Sequence, residues 1–559
     1  MVGRKTYDSV IIGGGLAGLR AALELAGKCK VAIVSKSHPL RSNSVAAQGG
    51  VNAAMSPDDS WQKHMEDTVK AGAFLNDQDA VEVLVRGAKD AIVELDNLGA
   101  LFSRTKGKIA QRKFGAQSVP RACYAADKTG QTLLHTLFEQ VSKKGVEILD
   151  DYVLLDVIVE KNYCKGVLCL DVRNGQVVAL NAKSVLIATG GYARLYQVSS
   201  NNHCNTADAQ GILYRRGLPM KDMEFVQFHP TGLFPSGILI SETARGEGGV
   251  LVNDRGERFM QRYDPRMELA TRDAISKAVQ QEIVSGRGIK QNNYVYLDLT
   301  KIDSKVIDER LPQIKRLAKD FAGVDVTDQP ISVRPTAHYS MGGIATDKKA
   351  QVLTRDGEIF GLYAAGECAC LSVHGANRLG GNSLLETLVF GKIAGKEMTT
   401  YNFKVRTGMI GEQSLKEAVV MVDRIKKKNG NEKLFTIRVE LAQLMEKKVG
   451  VFRDQKGLYE AKDVIKKLRE RLDHVGLTDK GNIFNTELVE ALELRNMIDV
   501  SEAIVHTAMA RKETRGAHSR SDYPSKSNEY LKHSFIYRLG GQVVVEHDDV
   551  VMTKLKPER

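Results

Sequence analysis

The run Gly13-Gly14-Gly15-Leu16-Ala17-Gly18 restricts the start of this chain more than any other feature. It stands between a short apolar strand, Ser9 to Ile12, and a helical stretch that reaches about Gly27; a second strand, Lys30 to Val34, follows. In that strand–turn–helix setting, G-x-G-x-x-G lets a dinucleotide pyrophosphate approach bare backbone and rest on a helix N-terminus. Alone the motif is weak; in this context it is strong. The acidic residue that would hold an NAD ribose is missing, because Ser35-Lys36 stands after the second strand. A serine hydroxyl can still bond a ribose oxygen, so FAD fits better than NAD.

Further stretches point the same way. Ser44 to Ala53 is rich in small residues, as backbone lying against a flat cofactor must be. The strand Ser184 to Ala188 ends in a second glycine turn, Thr189-Gly190-Gly191, and Asp208 precedes a helix expected from about Ala209. The segment from Gly361 to Glu386 runs as a strand, Leu362 to Ala365, breaks at Gly366-Glu367, and passes through a Gly-rich loop carrying Arg378. It then enters a helix at Ser383. Ser383 and Glu386 have the S-x-x-E spacing of a capping box, which predicts a helix N-terminus there. Aimed at a flavin ring, such an end would stabilise the negative charge that the reduced ring gains at N1/C2=O. The Arg378 fork suits bidentate grip of a carboxylate.

Helical patterns fill 60–99 and 127–143, and a β-rich insertion covers 146–184. Between 227 and 337 the texture turns to mixed α+β, which reads as a domain inserted into the dinucleotide-binding one. The expected order is a Rossmann-like α/β FAD-binding domain (1–226 and 338–405), the inserted α+β capping domain (227–337), a helical domain (413–515) and a polar C-terminal tail (516–559). The net charge of +12, from 80 Lys+Arg against 68 Asp+Glu, fits attraction of small dianions or an acidic partner. The basic residues are dispersed and no nucleic-acid motif occurs, so no nucleic-acid partner is expected. Seven cysteines include no C-x-x-C pair, so neither a metal nor an iron–sulfur cluster is signalled, and their odd, scattered count suits a reducing cytosol. No run approaches ~20 apolar residues, the length of a membrane span.

The long runs Arg41-Ser42-Asn43-Ser44-Val45-Ala46-Ala47-Gln48-Gly49-Gly50, His229-Pro230-Thr231-Gly232, Arg245 to Gly249, His338 to Gly343, His374 to Glu386 and Arg511 to His518 resemble the flavoprotein subunit of succinate dehydrogenase/fumarate reductase. The resemblance extends to the tail Met552 to Arg559. L-aspartate oxidase, a close cousin, shares the Gly-rich loop and Arg378 and stands as the alternative. Gly232 after His-Pro-Thr, Met341 before Gly342-Gly343, and the C-terminal tail favour the succinate/fumarate branch.

The resemblance implies an enzyme that interconverts fumarate and succinate by hydride transfer at FAD N5. By motif match, Arg378 and His338 hold one carboxylate, His229 and Ser241 the other, and Phe114 packs on the substrate. Ser241 keeps the hydroxyl of the threonine that relatives carry there. Arg272 matches the proton donor/acceptor, with Glu242 and Arg245 as the relay that returns its proton; Thr271 stands where relatives often have proline. An Arg acid is chemically awkward, since guanidinium normally stays protonated. Implied cofactor contacts are Gly13, Gly15, Gly18, Ser35, Lys36, Asn43, Ser44, Gly49, Gly50, Asp208, Glu367 and Ser383. Relatives place at position 43 a histidine that bonds covalently to the flavin; here Asn43 predicts non-covalent FAD and a bias toward fumarate reduction. Since this chain carries no cluster ligands, the resemblance implies a separate iron–sulfur subunit, with membrane-anchor subunits beyond it. The expected location is cytoplasmic, docked through those partners on the inner face of the membrane. His64, His135, His506 and Trp61 read as structural.

Overall fold

The computed structural model describes residues 2–557; Glu558 and Arg559, the end of the tail match, lie outside the described residues. The eight-stranded main sheet follows from the apolar runs that the sequence places at its centre. Val2–Ile12 lies parallel between Gln176–Ile187 and Val31–Ser35, and Glu147–Asp150 continues the sheet beyond the latter. On the other side Glu358–Ala364 joins parallel to Gln176–Ile187. These strands read as continuous apolar runs because helices cover the sheet. Helix Leu16–Leu25 packs on Asn382–Asn402 over one face, with Gly391 and Gly395 close against the backbone of Ala17 and Ala21. The first strand is longer than Ser9 to Ile12, since pairing with Gln176–Ile187 extends it back to Val2.

What matters for function is where the strands stop. Ile12, Ser35, Ile187 and Ala364 all end on one edge, and the turns Gly13–Gly15, Ser35-Lys36, Thr189–Gly191 and Gly366-Glu367 therefore converge. In open α/β sheets the ligand crevice lies at this carboxyl edge.

A second unit has a core of its own, built from Leu233, Leu251, Phe259, Ile275, Leu297 and Val333 among others. Its sheet runs Val226–Leu233, Ile331–Ser340, Val295–Asp298, Val250–Val252, with helices Arg272–Glu282 and Pro312–Ala322 packed on it. Four helices follow: Glu412–Lys427, Leu434–Lys448, Gln455–Leu472 and Thr486–Ala510. The polar C-terminal stretch is more ordered than its composition suggests. Lys532–Leu539 and Gln542–Asp549 form a hairpin that completes a five-stranded sheet with Met220–Lys221, Gly343–Ala345 and Ala369–Cys370. Between the last helix and this hairpin, Arg511 and Arg515 are buried on Glu224 and Glu513. The long motif there is thus a structural ion network.

Candidate active site

The convergent turns border one elongated cleft of about 1670 Å³, partly open to solvent. Gly13 sits at φ +118°, and a Cβ there would lie 2.1 Å from the Ala188 carbonyl oxygen, so the turn admits only glycine. A Cβ on Gly18 would lie 2.0 Å from the Gly13 carbonyl oxygen, which is how the helix comes so close to the strand. Gly15 caps helix Leu16–Leu25 without a side chain, leaving its N-terminus facing the cleft, where Ser44 Oγ accepts from the Leu16 N–H at 3.3 Å. Ser44, Asn43, Gly49 and Gly50 also line the cleft. A Cβ on Gly49 would come within 2.9 Å of the Phe114 ring.

Among the described residues, four buried polar atoms on this cleft have no hydrogen-bond partner: Ser42 Oγ, Gln48 Oε1, Thr189 Oγ1 and Arg378 Nε. Orphaned buried groups are rare in folded proteins and call for a ligand or water. Together with the glycine cradle they fit FAD, with the helix N-terminus placed for its pyrophosphate. Two expected contacts are engaged elsewhere. Ser35 Oγ donates to the Ser37 carbonyl at 2.6 Å, leaving it free only to accept. The Lys36 ammonium gives its three donors to Thr206 Oγ1, Asp208 Oδ2 and Glu493 Oε1, so none is left for a ligand. Burial opposes its charge, but Asp208 and Glu493 outweigh burial and raise its pKa. Asn43 Oδ1 accepts from the Asn202 N–H at 2.9 Å. Burial lifts the Glu367 carboxyl to about 7, although it accepts from the Ser340 N–H.

The expected capping box at Ser383 is not formed. Helix Asn382–Asn402 starts one residue earlier, on Gly381 at φ +87°, with no side-chain cap. Glu386 cannot reach back because Tyr339 Oη donates to it at 2.7 Å and His374 Nε2 lies at 2.9 Å. Asn382 is held instead by Asn52, His64 and Thr68. Ser383 still faces the cleft as the second helical residue.

Further along the cleft stand Phe114, His229, Ser241, Glu242, Arg272, His338 and Arg378. Strand geometry aims both histidines. The pairing register jumps from Gln227↔Tyr339 to Phe228↔Ala337, which leaves His338 as the extra residue of a bulge. The two imidazoles meet edge-on, 5.2 Å between centroids. The Thr231 N–H can only donate, so His229 Nδ1 accepts it and the ring proton lies on Nε2. Burial first, then Arg272 and other cations, push both histidines well below their ordinary range, so both are neutral at pH 7. Ser241 Oγ accepts from the Thr243 N–H and shares a hydrogen bond with Thr243 Oγ1.

The positive charge comes from the arginines. Arg272 opens its helix and donates from Nε to Glu242 Oε2 at 3.0 Å. Gly115 N–H holds Glu242 Oε1 at 2.5 Å. Burial opposes the carboxylate charge, but Arg272, Arg245 and that N–H lower its pKa. Arg378 lies over the Tyr339 ring at 4.3 Å, and burial, then the charge of Arg272, push it down to about 9. Arg245 does not border the cleft: it is buried behind Glu242, donating to the Glu268 carbonyl, with no partner for Nε and one Nη among the described residues. Gln227, which sequence reasoning passed over, ties the site together. Its Oε1 accepts from Arg272 at 3.2 Å and Arg378 at 3.0 Å, while its Nε2 donates to Asn377 Oδ1 and the Arg378 carbonyl. The available signal was alternation: Gln227 is two residues before His229 on a strand and so shares its face.

A dinucleotide cradle that opens onto paired arginines and neutral histidines defines an FAD-dependent oxidoreductase. Residues 8–384 match the family model described as an FAD binding domain, and 438–559 match the one described as fumarate reductase flavoprotein C-term. The chain is 43% identical over 576 residues to the succinate dehydrogenase flavoprotein subunit of Rickettsia conorii, covering 99% of this chain and 96% of that one. It is 38% identical to the fumarate reductase flavoprotein subunit of Haemophilus influenzae, at 99% and 95% coverage. An E. coli quinol fumarate reductase structure superposes with TM-score 0.95 at 37% identity, covering 100% of this chain and 99% of that one. The chain belongs to the succinate dehydrogenase/fumarate reductase flavoprotein subunit family, and these matches do not favour L-aspartate oxidase.

Proposed function

We propose that this chain is the catalytic subunit of a complex that interconverts fumarate and succinate, working mainly as a fumarate reductase. The observation that carries the reading is the Arg272–Gln227–Arg378 bridge, two guanidinium groups tied by one neutral amide beside two neutral histidines. That arrangement presents positive charge and imidazole donors to a small dianion. Arg378 and His338 hold one carboxylate; His229 and Ser241 hold the other; Phe114 closes the wall. When bound, FAD supplies the hydride exchanged at N5. Arg272 delivers the proton to the neighbouring carbon, and Glu242, in contact with its Nε, is the route by which that proton is replaced. Arg245 acts through Glu242, whose carboxylate it stabilises from behind.

In this reading FAD lies against Gly13, Gly15, Ser44, Asn43, Gly49, Gly50, Glu367 and Ser383, with Ser35 as an acceptor and with Asp208 fixed by Lys36; Gly18, expected as a contact, is not part of the cleft lining and serves instead to let the helix close on the Gly13 carbonyl. Asn43 has no nucleophile for the flavin methyl, so the FAD is non-covalent; its lower potential then favours fumarate reduction. The reading includes the boundaries 227 and 337 for the capping unit and 413–515 for the helical one. It also includes an iron–sulfur subunit and membrane anchors as partners, which would place this chain at the inner face of the cytoplasmic membrane. Among the described residues no helix is long and apolar enough to cross a membrane. The test is one set of dye-coupled assays on the purified complex with fumarate, succinate and L-aspartate. Fumarate reduction should be fastest; turnover of L-aspartate alone would overturn the reading.

A further inference from the structure

A second cavity of about 940 Å³ opens between helices Glu412–Lys427, Gln455–Leu472 and Thr486–Ala510. Six cations line it: Arg215, Arg424, Lys428, Arg469, Arg495 and Arg538. Against them stand Asp473 and Asp499 on the wall and Glu502 just behind. Asp499 accepts from Arg215, Arg469 and Arg538; Glu502 takes second bonds from Arg469 and Arg538; Asp473 lies 4.0 Å from Lys428. Six positive charges less three negative leave three uncompensated. Two of them are Arg495 and Arg424, and the third is shared by Arg215, Arg469 and Arg538, three cations on two carboxylates. The Arg495 guanidinium contacts the Met421 sulfur at 3.6 Å, a weak acceptor, and Arg424 forms no ion pair among the described residues. Burial, then the nearby Arg215, lower the Arg495 pKa although Asp499 and Asp473 act against them, and among the described residues Arg495 forms no ion pair. Leu472, Val475 and Ile498 give the cavity an apolar floor.

We propose that this cavity is a binding site, separate from the active site, for an organic oxyanion of metabolite size: two or more phosphate or carboxylate groups on an apolar or flat body. Guanidinium forks match both kinds of oxyanion in bidentate fashion. A concave site with excess positive charge concentrates such ligands, and the apolar floor gives the ligand body a surface to cover. The site lies among the helices that follow the dinucleotide-binding unit, whereas Arg378 and Arg272 belong to the other cavity.

The experiment is calorimetric titration of the flavin-loaded protein with ADP, inorganic pyrophosphate and citrate. At least one probe should bind saturably, one per chain. Arg495→Gln and Arg424→Gln should each weaken it at least tenfold, while Arg378→Ala, which disables the active site, should leave it unchanged. Pyrophosphate binding as tightly as ADP would assign the affinity to phosphate, and tighter citrate binding to carboxylate. Retained flavin absorbance checks the fold of the Arg495 variant; if that variant does not fold, the exposed Arg424→Gln decides. Absence of saturable binding, binding unaffected by either substitution, or loss in Arg378→Ala would overturn the proposal.

Discussion

Replacing Arg378 by methionine should abolish turnover and make the ligand-free protein more stable. The guanidinium is fully enclosed, its Nε has no partner, and among the described residues no carboxylate forms an ion pair with it. Its fall from 12.5 to about 9 means that folding disfavours the charged form by about 5 kcal/mol, at about 1.4 kcal/mol per pH unit. The sign follows from the direction. Because the folded value is lowered, the cost is fully present below about 9 and is relieved only as pH rises through 9 toward 12.5. Methionine keeps the stem beside Tyr339 and removes the charge, while Gln227 Oε1 retains its bond from Arg272. Losing the Gln227 bond and the ring contact takes back about 2–3 kcal/mol.

A net gain of about 2 kcal/mol should therefore appear at neutral pH. With about 2.1 cal/mol/K of unfolding entropy per residue, 559 residues give about 1.2 kcal/mol/K, so the melting point should rise by about 2 °C. Malonate, an unreactive dicarboxylate, should stabilise the wild type and not the variant, since only the wild type has a cation to be neutralised. Calorimetric scans with and without malonate, beside a dye-coupled fumarate assay, measure all three quantities. A variant that melts below the ligand-free wild type refutes the uncompensated charge; one that keeps activity refutes the carboxylate grip.

Arg272→Ala should lower turnover by about 10²–10³-fold with the flavin still bound, and full activity in flavin-replete protein would exclude Arg272 as the proton donor. Acid precipitation should release the yellow colour into solution, because Asn43 offers no covalent link; flavin left on the denatured chain would contradict this. Burial raises Glu367 from 4.5 to about 7, so this group's contribution to the stability of the flavin-free protein is greatest below about pH 4.5 and is lost as pH rises through about 7. Glu367→Gln should flatten that profile, gaining up to about 3 kcal/mol at about pH 8, less what water at the cleft wall screens. Matching melting profiles for the two proteins would show that the carboxyl is ionised throughout.

How far the sequence could be read depended on how local each signal was. The glycine turn at Gly13, the strand ends and Arg378 were legible because strand–turn–helix periodicity and steric need act within a few residues. The Ser383 capping box was a valid local pattern that lost to tertiary contacts: Tyr339 and His374 claim Glu386, and Gly381 takes the left-handed turn. Lys36 was read as a ligand contact because Asp208 and Glu493, 172 and 457 residues away, cannot be placed beside it from spacing. The C-terminal hairpin looked like a polar tail because Gln542–Asp549 is an edge strand with much of its surface exposed.

Gln227 was missed for a different reason, and that reason explains the chemistry. A buried pair of arginines is usually sought beside a carboxylate, which would neutralise it. Here the carboxylate, Glu242, engages only Arg272, and the group shared by both arginines is an amide. An amide fixes the two guanidinium groups relative to each other while leaving their charge in place. The histidines add donors without adding charge, because the same cations hold them neutral. On the proposed reading these cations are under electrostatic strain that a dianion relieves, and the strain is largest at Arg378, which forms no ion pair among the described residues. If Arg378 and Arg272 face the substrate as proposed, a glutamate at position 227 would give a more stable pocket and a worse one, since the pocket's own carboxylate would take the place of the substrate's.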